Sequence, residues 1–452
     1  LSSPTPTKAP LGARRLLLPV VVLIAAGLSI NVMLSRRDLA NFRARQVVLI
    51  SIDTLRADRL GTYGYAARPT SPNLDALAQQ SVVFERAFTA APWTVPALAA
   101  LHTGRYPVEV GAYTNSDGVA ADALTLAELF QQQGIATANF NTHALLINDH
   151  GGFRQGFDTV EPAQIVRLVE GEHKGSFAAS EPALMAWLDA HQADPFFLWI
   201  HDMSPHLPPT AGNPWLTTEG WKRYDAEVRF SDDIIGRVLR KLAALGIGER
   251  LLIVVTADHG EAFGDEHGLT GHQDVMYDEV LRVPLIIGAP ALVPRRVAAP
   301  VELVDVFPTI AALAGLPAPP GLRGESLVPL LDGSRTERTR ATAAHMRFFF
   351  ENADNSHWLA VRDREWKLLA RTPDHGRDGP PGWDLNDPDT YFELYRYSVD
   401  PGEQTDLFER HPEEVERLRG TFAEWTGSLR DKPPRVEADD ATREHLRALG
   451  YE

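Results

Sequence analysis

Short runs rich in β-branched and other apolar residues recur along this chain, separated by segments whose apolar positions return every three or four residues. Val47 to Ile52, Ile135 to Phe140, Pro195 to His201, Leu251 to Thr256 and Val283 to Ile287 lack the strict alternation of a strand with one wet face. Strands buried on both faces read this way, and they belong to parallel sheets covered by helices. Helical patterns fall between them, at Pro72 to Gln80, Pro96 to His102, Leu124 to Gln133, Glu181 to Ala190, about Tyr224 to Leu245, and Val304 to Ala314. This alternation predicts an α/β fold, a doubly wound and largely parallel sheet flanked by helices, over residues 46–335.

Beyond Arg335 the pattern changes to short strands at His357 to Val361 and Trp366 to Ala370, a Pro/Gly/Asp-rich loop at Thr372 to Asp389, and a helix near Pro412 to Leu429. A small C-terminal α+β subdomain over 336–452 is expected. At the other end, residues 1–45 form a tail, anchor and linker. Leu16 to Leu34 is an uncharged apolar stretch of bilayer-spanning length with Arg14, Arg15, Arg36 and Arg37 at its ends. It reads as a single-pass transmembrane helix, and its length and the basic residues that follow it argue against a signal peptide. Lys and Arg are matched on the two sides, so charge counting sets no orientation; the catalytic domain is expected to be periplasmic or extracellular.

Composition narrows the chemistry. The net charge of −16 over 452 residues argues against nucleic acid as a partner, which needs a surplus of Lys and Arg. The absence of cysteine removes disulfides, zinc–thiolate sites and thiol nucleophiles.

Two strand patterns end on acids. The first runs into Asp53, and the second delivers Asp258 and His259 side by side before Gly260. Ligands of open α/β sheets bind outside the carboxyl ends of the strands, so these three residues are a reasonable ligand set for a divalent metal cation such as Ca, Mg, Mn or Zn. An Asp after a strand is also an ordinary cap or turn former. Thr94, followed by Pro96 and an Ala/Leu run, reads as a helix N-cap with proline in the first turn. A hydroxyl there feels the positive end of the helix dipole, and a nearby cation would lower the cost of ionising it. Attack on a tetrahedral phosphorus or sulfur would leave a covalent Thr ester; the plainer alternative is that Thr94 only caps the helix.

The segments IDTLRADRLGTYGY, RPTSPNLDALAQQSVVFERAFTAAP, HTGRYP, TADHGEAFGDEHG, GHQDVMYDEVLRVPLI and ELYRYSVDPGEQTDL occur in this order along most of the chain. Together they resemble successive blocks of the sulfatase family in the alkaline phosphatase superfamily. The resemblance implies metal ligation by Asp53, Thr94, Asp258 and His259, with Thr94 at the nucleophile position. It also implies that His206 and His272 grip the transferred group or protonate the leaving oxygen.

Departures from the family pattern are informative. Sulfatases use a formylglycine made from Cys or Ser in Cys/Ser-x-Pro-x-Arg, whereas this chain reads Thr94-Val95-Pro96-Ala97-Leu98. No formylglycine is therefore expected, and Leu98 stands where the family has an arginine. Val110 replaces a frequent histidine, and Asn141-Thr142-His143 replaces a lysine-containing segment. Asp202 and His206, with His272 or His267, form a possible second cation set; the alternative is that His206 contacts substrate directly. The reading is a metal-dependent hydrolase of sulfate or phosphate esters carried by a glycan, lipid or small molecule. A catalytically inactive binding or scaffold relative and a phosphoethanolamine-type transferase remain as alternatives.

Overall fold

The structure is a computed structural model that describes residues 39–429 apart from 144–145, 147–150, 162–176, 207, 211, 221, 273–274, 339, 349–355 and 374–384. Its main sheet contains β1 (Gln46–Ile52), β2 (Val82–Phe88), β3 (Ala136–Asn141), β4 (Thr159–Glu161), β5 (Phe196–Asp202) and β6 (Leu251–Ala257). A two-stranded ribbon, β7 (Ala262–Phe263) with β8 (Thr270–Gly271), interrupts the chain before it returns as β9 (Arg282–Gly288), β10 (Arg295–Val297) and β11 (Val301–Glu302). The order across the main sheet is β10-β2-β9-β6-β1-β5-β3-β4, with β11 also on β2.

β1 lies inside this sheet, parallel to β5 on one side and β6 on the other, with every residue buried. That double burial is why its sequence shows no alternation. β9 runs antiparallel to β6 and β2, so the sheet is mostly rather than wholly parallel. β2 was not anticipated as a strand because Glu85 and Arg86 interrupt its apolar run; they sit where the pairing register shifts between Phe84 and Ala87. Such a bulge turns side chains outward without ending the ladder.

Helices cover the sheet largely where the apolar periodicity placed them. Arg223–Ala244 presents buried Asp232 to the backbone N–H groups of Asn73 and Leu74, at 3.0 and 2.8 Å, and so caps the helix Pro72–Ala78 from a neighbouring element. The helix Thr94–Thr103 is buried at every position and stops at Gly104, whose φ is +61°. A Cβ at Gly104 would lie 3.0 Å from Phe307 and from Leu322, so both conformation and space require glycine.

The C-terminal portion is an antiparallel sheet of β12 (Thr342–Phe348), β13 (Ser356–Arg362), β14 (Lys367–Pro373) and β15 (Tyr391–Tyr395). The helix Pro412–Ser428 packs Val415, Leu418 and Phe422 onto it, and the same apolar cluster takes in Tyr106, Val108 and Val304 of the larger sheet's surroundings. Buried ion pairs join the two parts: Arg338 Nη2 to Asp305 Oδ1 at 2.8 Å, and Lys367 Nζ to Asp278 Oδ1 at 3.0 Å. Among the described residues no helix is long and apolar enough to cross a membrane, and the expected anchor at 16–34 lies outside them.

Candidate active site

Register brings the two acidic strand ends together. Ile52 is opposite Ala257, so Asp53 and Asp258 leave adjacent parallel strands at the same edge. The turn after β1 is unusual, because Thr54 has φ +55°, a conformation that costs a non-glycine residue about 1 kcal/mol or more. Tyr224 holds it: its hydroxyl donates to Thr54 O at 2.6 Å and accepts from Arg56 N–H at 3.0 Å. In this conformation Thr54 N–H donates to Asp258 Oδ1 at 3.1 Å, and His259 N–H donates to the same oxygen at 2.8 Å.

One carboxylate oxygen of Asp258 is thus fixed by two backbone donors. Asp258 Oδ2 and both oxygens of Asp53 are buried with no hydrogen-bond partner. His259 Nδ1–H donates to Gly260 O at 2.9 Å, which leaves the lone pair on Nε2, 3.3 Å from Thr94 Oγ1. The ligand atoms of Asp53, Asp258 and His259 all lie within 4.8 Å of one another. Buried carboxylate oxygens without donors are costly, and a divalent cation among them answers that cost. The donor set therefore fits such a cation.

Electrostatics agree. Burial, then repulsion from Asp53, pushes the Asp258 carboxyl well above its ordinary range. Burial pushes Asp53 up too, but the adjacent His201 imidazole, 3.5 Å away, and then His206 and His259 hold it well below the usual value. Burial and then His272 push His259 down, so it is the neutral imidazole that ligates metals.

Thr94 does not cap its helix as its sequence position suggested. Trp93 is the N-cap, Val95 N–H is met by Asn115 Oδ1 at 2.9 Å, and the Thr94 hydroxyl turns instead to His259. His272 lies next, with ring centroids 4.3 Å from His259 and 5.6 Å from His206. His272 Nδ1 is 3.2 Å from Glu261 Oε2; burial lowers its pKa, but the Glu261 carboxylate more than offsets this and raises it.

Three further residues were not foreseen as part of the site. His201 Nε2 is 3.5 Å, and His143 Nε2 4.0 Å, from Asp53 Oδ2. Trp199 Nε1–H donates to Ser51 Oγ at 2.9 Å, and that hydroxyl bonds His201 Nδ1 at 2.8 Å, so buried groups orient His201 toward Asp53. Glu261 is the third. The β1–β5 register, Ser51 opposite His201, is the signal that placed His201. Leu98 and Val110 sit in the apolar core. Asp202, His206 and His272 do not form a group within mutual ligand reach among the described residues, and His267 belongs to another cluster.

Comparison with known proteins places the chain in a family. A sequence model described as Sulfatase matches residues 45–316. The chain belongs to the sulfatase family. A second model, N-sulphoglucosamine sulphohydrolase, C-terminal, matches residues 265–422 of this sulfatase. Its relatives include the ulvan-active sulfatase of Formosa agariphila, 28% identical over 375 residues, or 72% of each chain. Human arylsulfatase A is 26% identical over 435 residues, covering 82% of this chain and 84% of the relative. The phosphonate monoester hydrolase of Agrobacterium radiobacter shares the fold, with TM-score 0.67 at 22% identity over 86% of this chain and 95% of that one. Membership makes this chain a sulfuric or phosphoric ester hydrolase.

Proposed function

We propose that this sulfatase hydrolyses phosphate or phosphonate esters in preference to sulfate esters, with the unmodified Thr94 hydroxyl as nucleophile. The observation that carries the reading is Thr94 Oγ1, 3.3 Å from His259 Nε2 and beside the unpartnered oxygens of Asp53 and Asp258. A divalent cation held by Asp53, Asp258 and His259 would supply Lewis acidity, easing ionisation of the hydroxyl and neutralising charge on the transferred group. Thr94 Oγ, its proton given up to solvent on ionisation, bonds to phosphorus as an alkoxide while the bond to the alcohol oxygen breaks. His272, whose pKa the Glu261 carboxylate raises against the lowering effect of burial, gives that oxygen its proton. The same imidazole, now neutral, takes a proton from water as the oxygen of that water bonds to phosphorus and the Oγ–P bond breaks, returning the Thr94 alkoxide and releasing the phosphate or phosphonate.

The preference follows from leaving-group chemistry. A formylglycine hydrate expels sulfate by collapsing to its aldehyde, whereas a Thr ester must be attacked at the central atom, which phosphoryl and phosphonyl centres tolerate better. The names of the relatives, ulvan-active sulfatase and phosphonate monoester hydrolase, supply both kinds of ester to try. The apolar run at 16–34 would tether the enzyme to a membrane, with lipid or glycan esters within reach.

The test is hydrolysis of an aryl sulfate, a phosphate monoester, a phosphate diester and a phosphonate ester with Mn2+ present, in the full chain and in Thr94→Ala. Turnover of the phosphorus esters that drops at least about 10³-fold in the variant is expected. Equal turnover in Thr94→Ala, or a clear preference for the sulfate, refutes the reading.

A further inference from the structure

A second group of ligand-type side chains lies apart from Thr94, around Arg56. This guanidinium is 2% exposed and reaches Asp58 at 2.8 Å, Asp265 at 3.1 Å, Glu266 at 3.6 Å and Glu279 at 3.5 Å. Arg59 pairs with Asp265 at 2.8 Å. Two guanidiniums therefore face four carboxylates, and the Glu279 side chain is fully buried. Carboxylates outnumber guanidiniums here, and the two glutamates are the less exposed of them.

Each glutamate gives Arg56 only one oxygen. The other oxygen, Oε2 of Glu266 and Oε1 of Glu279, is buried without a hydrogen-bond partner. His267 completes the group: its Nε2–H donates to Glu403 O at 2.8 Å, so the lone pair is on Nδ1, 3.9 Å from Glu279 Oε1. That gap is too long for a hydrogen bond. It suits two ligands sharing one ion, whose bonds are about 2.0–2.2 Å. A backbone carbonyl fixing the far nitrogen is also the usual support of a metal-bound histidine. The His267 ring is held flat on Tyr277, with centroids 3.5 Å apart. The ligand atoms of Glu266, His267 and Glu279 lie within 4.8 Å of one another, and a cavity of about 220 Å³ beside Glu266, Glu279 and Gly402 leaves room for water ligands.

We propose that Glu266, His267 and Glu279 bind a second divalent cation, Mn2+ or Zn2+, separate from the catalytic one. An imidazole with two carboxylates favours these metals over Ca2+, which prefers an all-oxygen shell. The ion offsets the excess of carboxylates around Arg56 and meets the unpartnered oxygens of Glu266 and Glu279. It joins three parts of the chain: the turn between β7 and β8, the helix Asp278–Leu281 and the Glu403 turn of the C-terminal portion. Gly260 sits against this helix, where a Cβ would lie 2.2 Å from Glu279 O, so the second site buttresses the segment that follows Asp258 and His259.

The experiment counts metal per chain by elemental analysis after equilibrium dialysis of the full chain against Mn2+ or Zn2+. Wild type is compared with His267→Gln, Glu266→Gln and Asp258→Asn. The His267 and Glu266 variants are each expected to hold one ion fewer than wild type, and Asp258→Asn combined with His267→Gln should lose one ion more than either single variant. Glu266 is 26% exposed, so its amide variant keeps the fold if the histidine variant does not. An unchanged count in both Glu266→Gln and His267→Gln overturns the proposal and leaves a protonated His267 between the glutamates as the occupant. The count is independent of whether Thr94 is the nucleophile.

Discussion

Tyr224→Phe tests whether the strained turn after β1 sets the catalytic metal site. The substitution removes only the hydroxyl; the ring stays against Phe263, with centroids 4.5 Å apart. Two bonds are lost, to Thr54 O at 2.6 Å and from Arg56 N–H at 3.0 Å. A buried donor left unmet costs about 1–3 kcal/mol and the other bond about 1 kcal/mol, so a loss of roughly 2–4 kcal/mol is expected. Thr54 is then free to leave its positive φ, which withdraws its N–H from Asp258 and shifts Asp53. Loss of such an outer partner weakens metal binding about 10–100-fold. Urea unfolding in EDTA reads the first quantity, and the Mn2+ concentration giving half-maximal ester hydrolysis reads the second. Tyr391→Phe, on a side chain 55% exposed, is the control. If Tyr224→Phe matches wild type within about 0.5 kcal/mol and needs no more Mn2+, the turn does not hold the site.

Other perturbations probe separate links. Burial, with His201 adding to it, pushes His102 down to about 3, below the ordinary 6.5, so its contribution to stability is complete above pH 6.5 and is lost as pH falls toward 3. At pH 5 wild type should have lost about 2 kcal/mol through this group, and His102→Phe should escape that loss in urea curves at pH 5 and 7.5. Glu261→Gln removes the carboxylate that raises His272; the kcat/KM limb set by protonated His272 should move to lower pH, and an unmoved limb would exclude His272 as the acid. Arg338→Met leaves buried Asp305 and Glu302 with Arg340 as their remaining cation among the described residues. Up to about 3–5 kcal/mol of stability should be lost, measured by denaturant midpoint.

The sheet was readable where burial is symmetrical. β1 and β6 stand out because covering both faces removes alternation, and the acids at their ends follow from the point where burial stops. β2 was not readable, since its charged pair at a bulge looks like a break. At the site, Asp53, Asp258, His259 and Thr94 were found from strand ends and family likeness, and the structure brings them together. His201 and Tyr224 were missed for a common reason: each acts across a long sequence separation, 150 and 170 residues from its partner. Nothing local distinguishes His201 from a histidine at any strand end. Thr94 was misread as a cap because the local Thr-x-Pro pattern does not show that Asn115 has taken that duty.

The parallel neighbours of β1 also dictate when the catalytic centre can exist. Thr54 and Asp258, bonded to each other, are 204 positions apart, and β6 pairs with β1 only after the intervening strands have been made. During synthesis the first half of the chain therefore emerges with Asp53 and Thr94 but without the residues that complete the pocket. Closing so distant a contact is slow, because chain entropy is lost before the pairing rewards it. A cation held by Asp53, Asp258 and His259 would then be a late arrival that consolidates an assembled sheet, and a chain cut before Leu251 is expected to be silent toward both metal and ester.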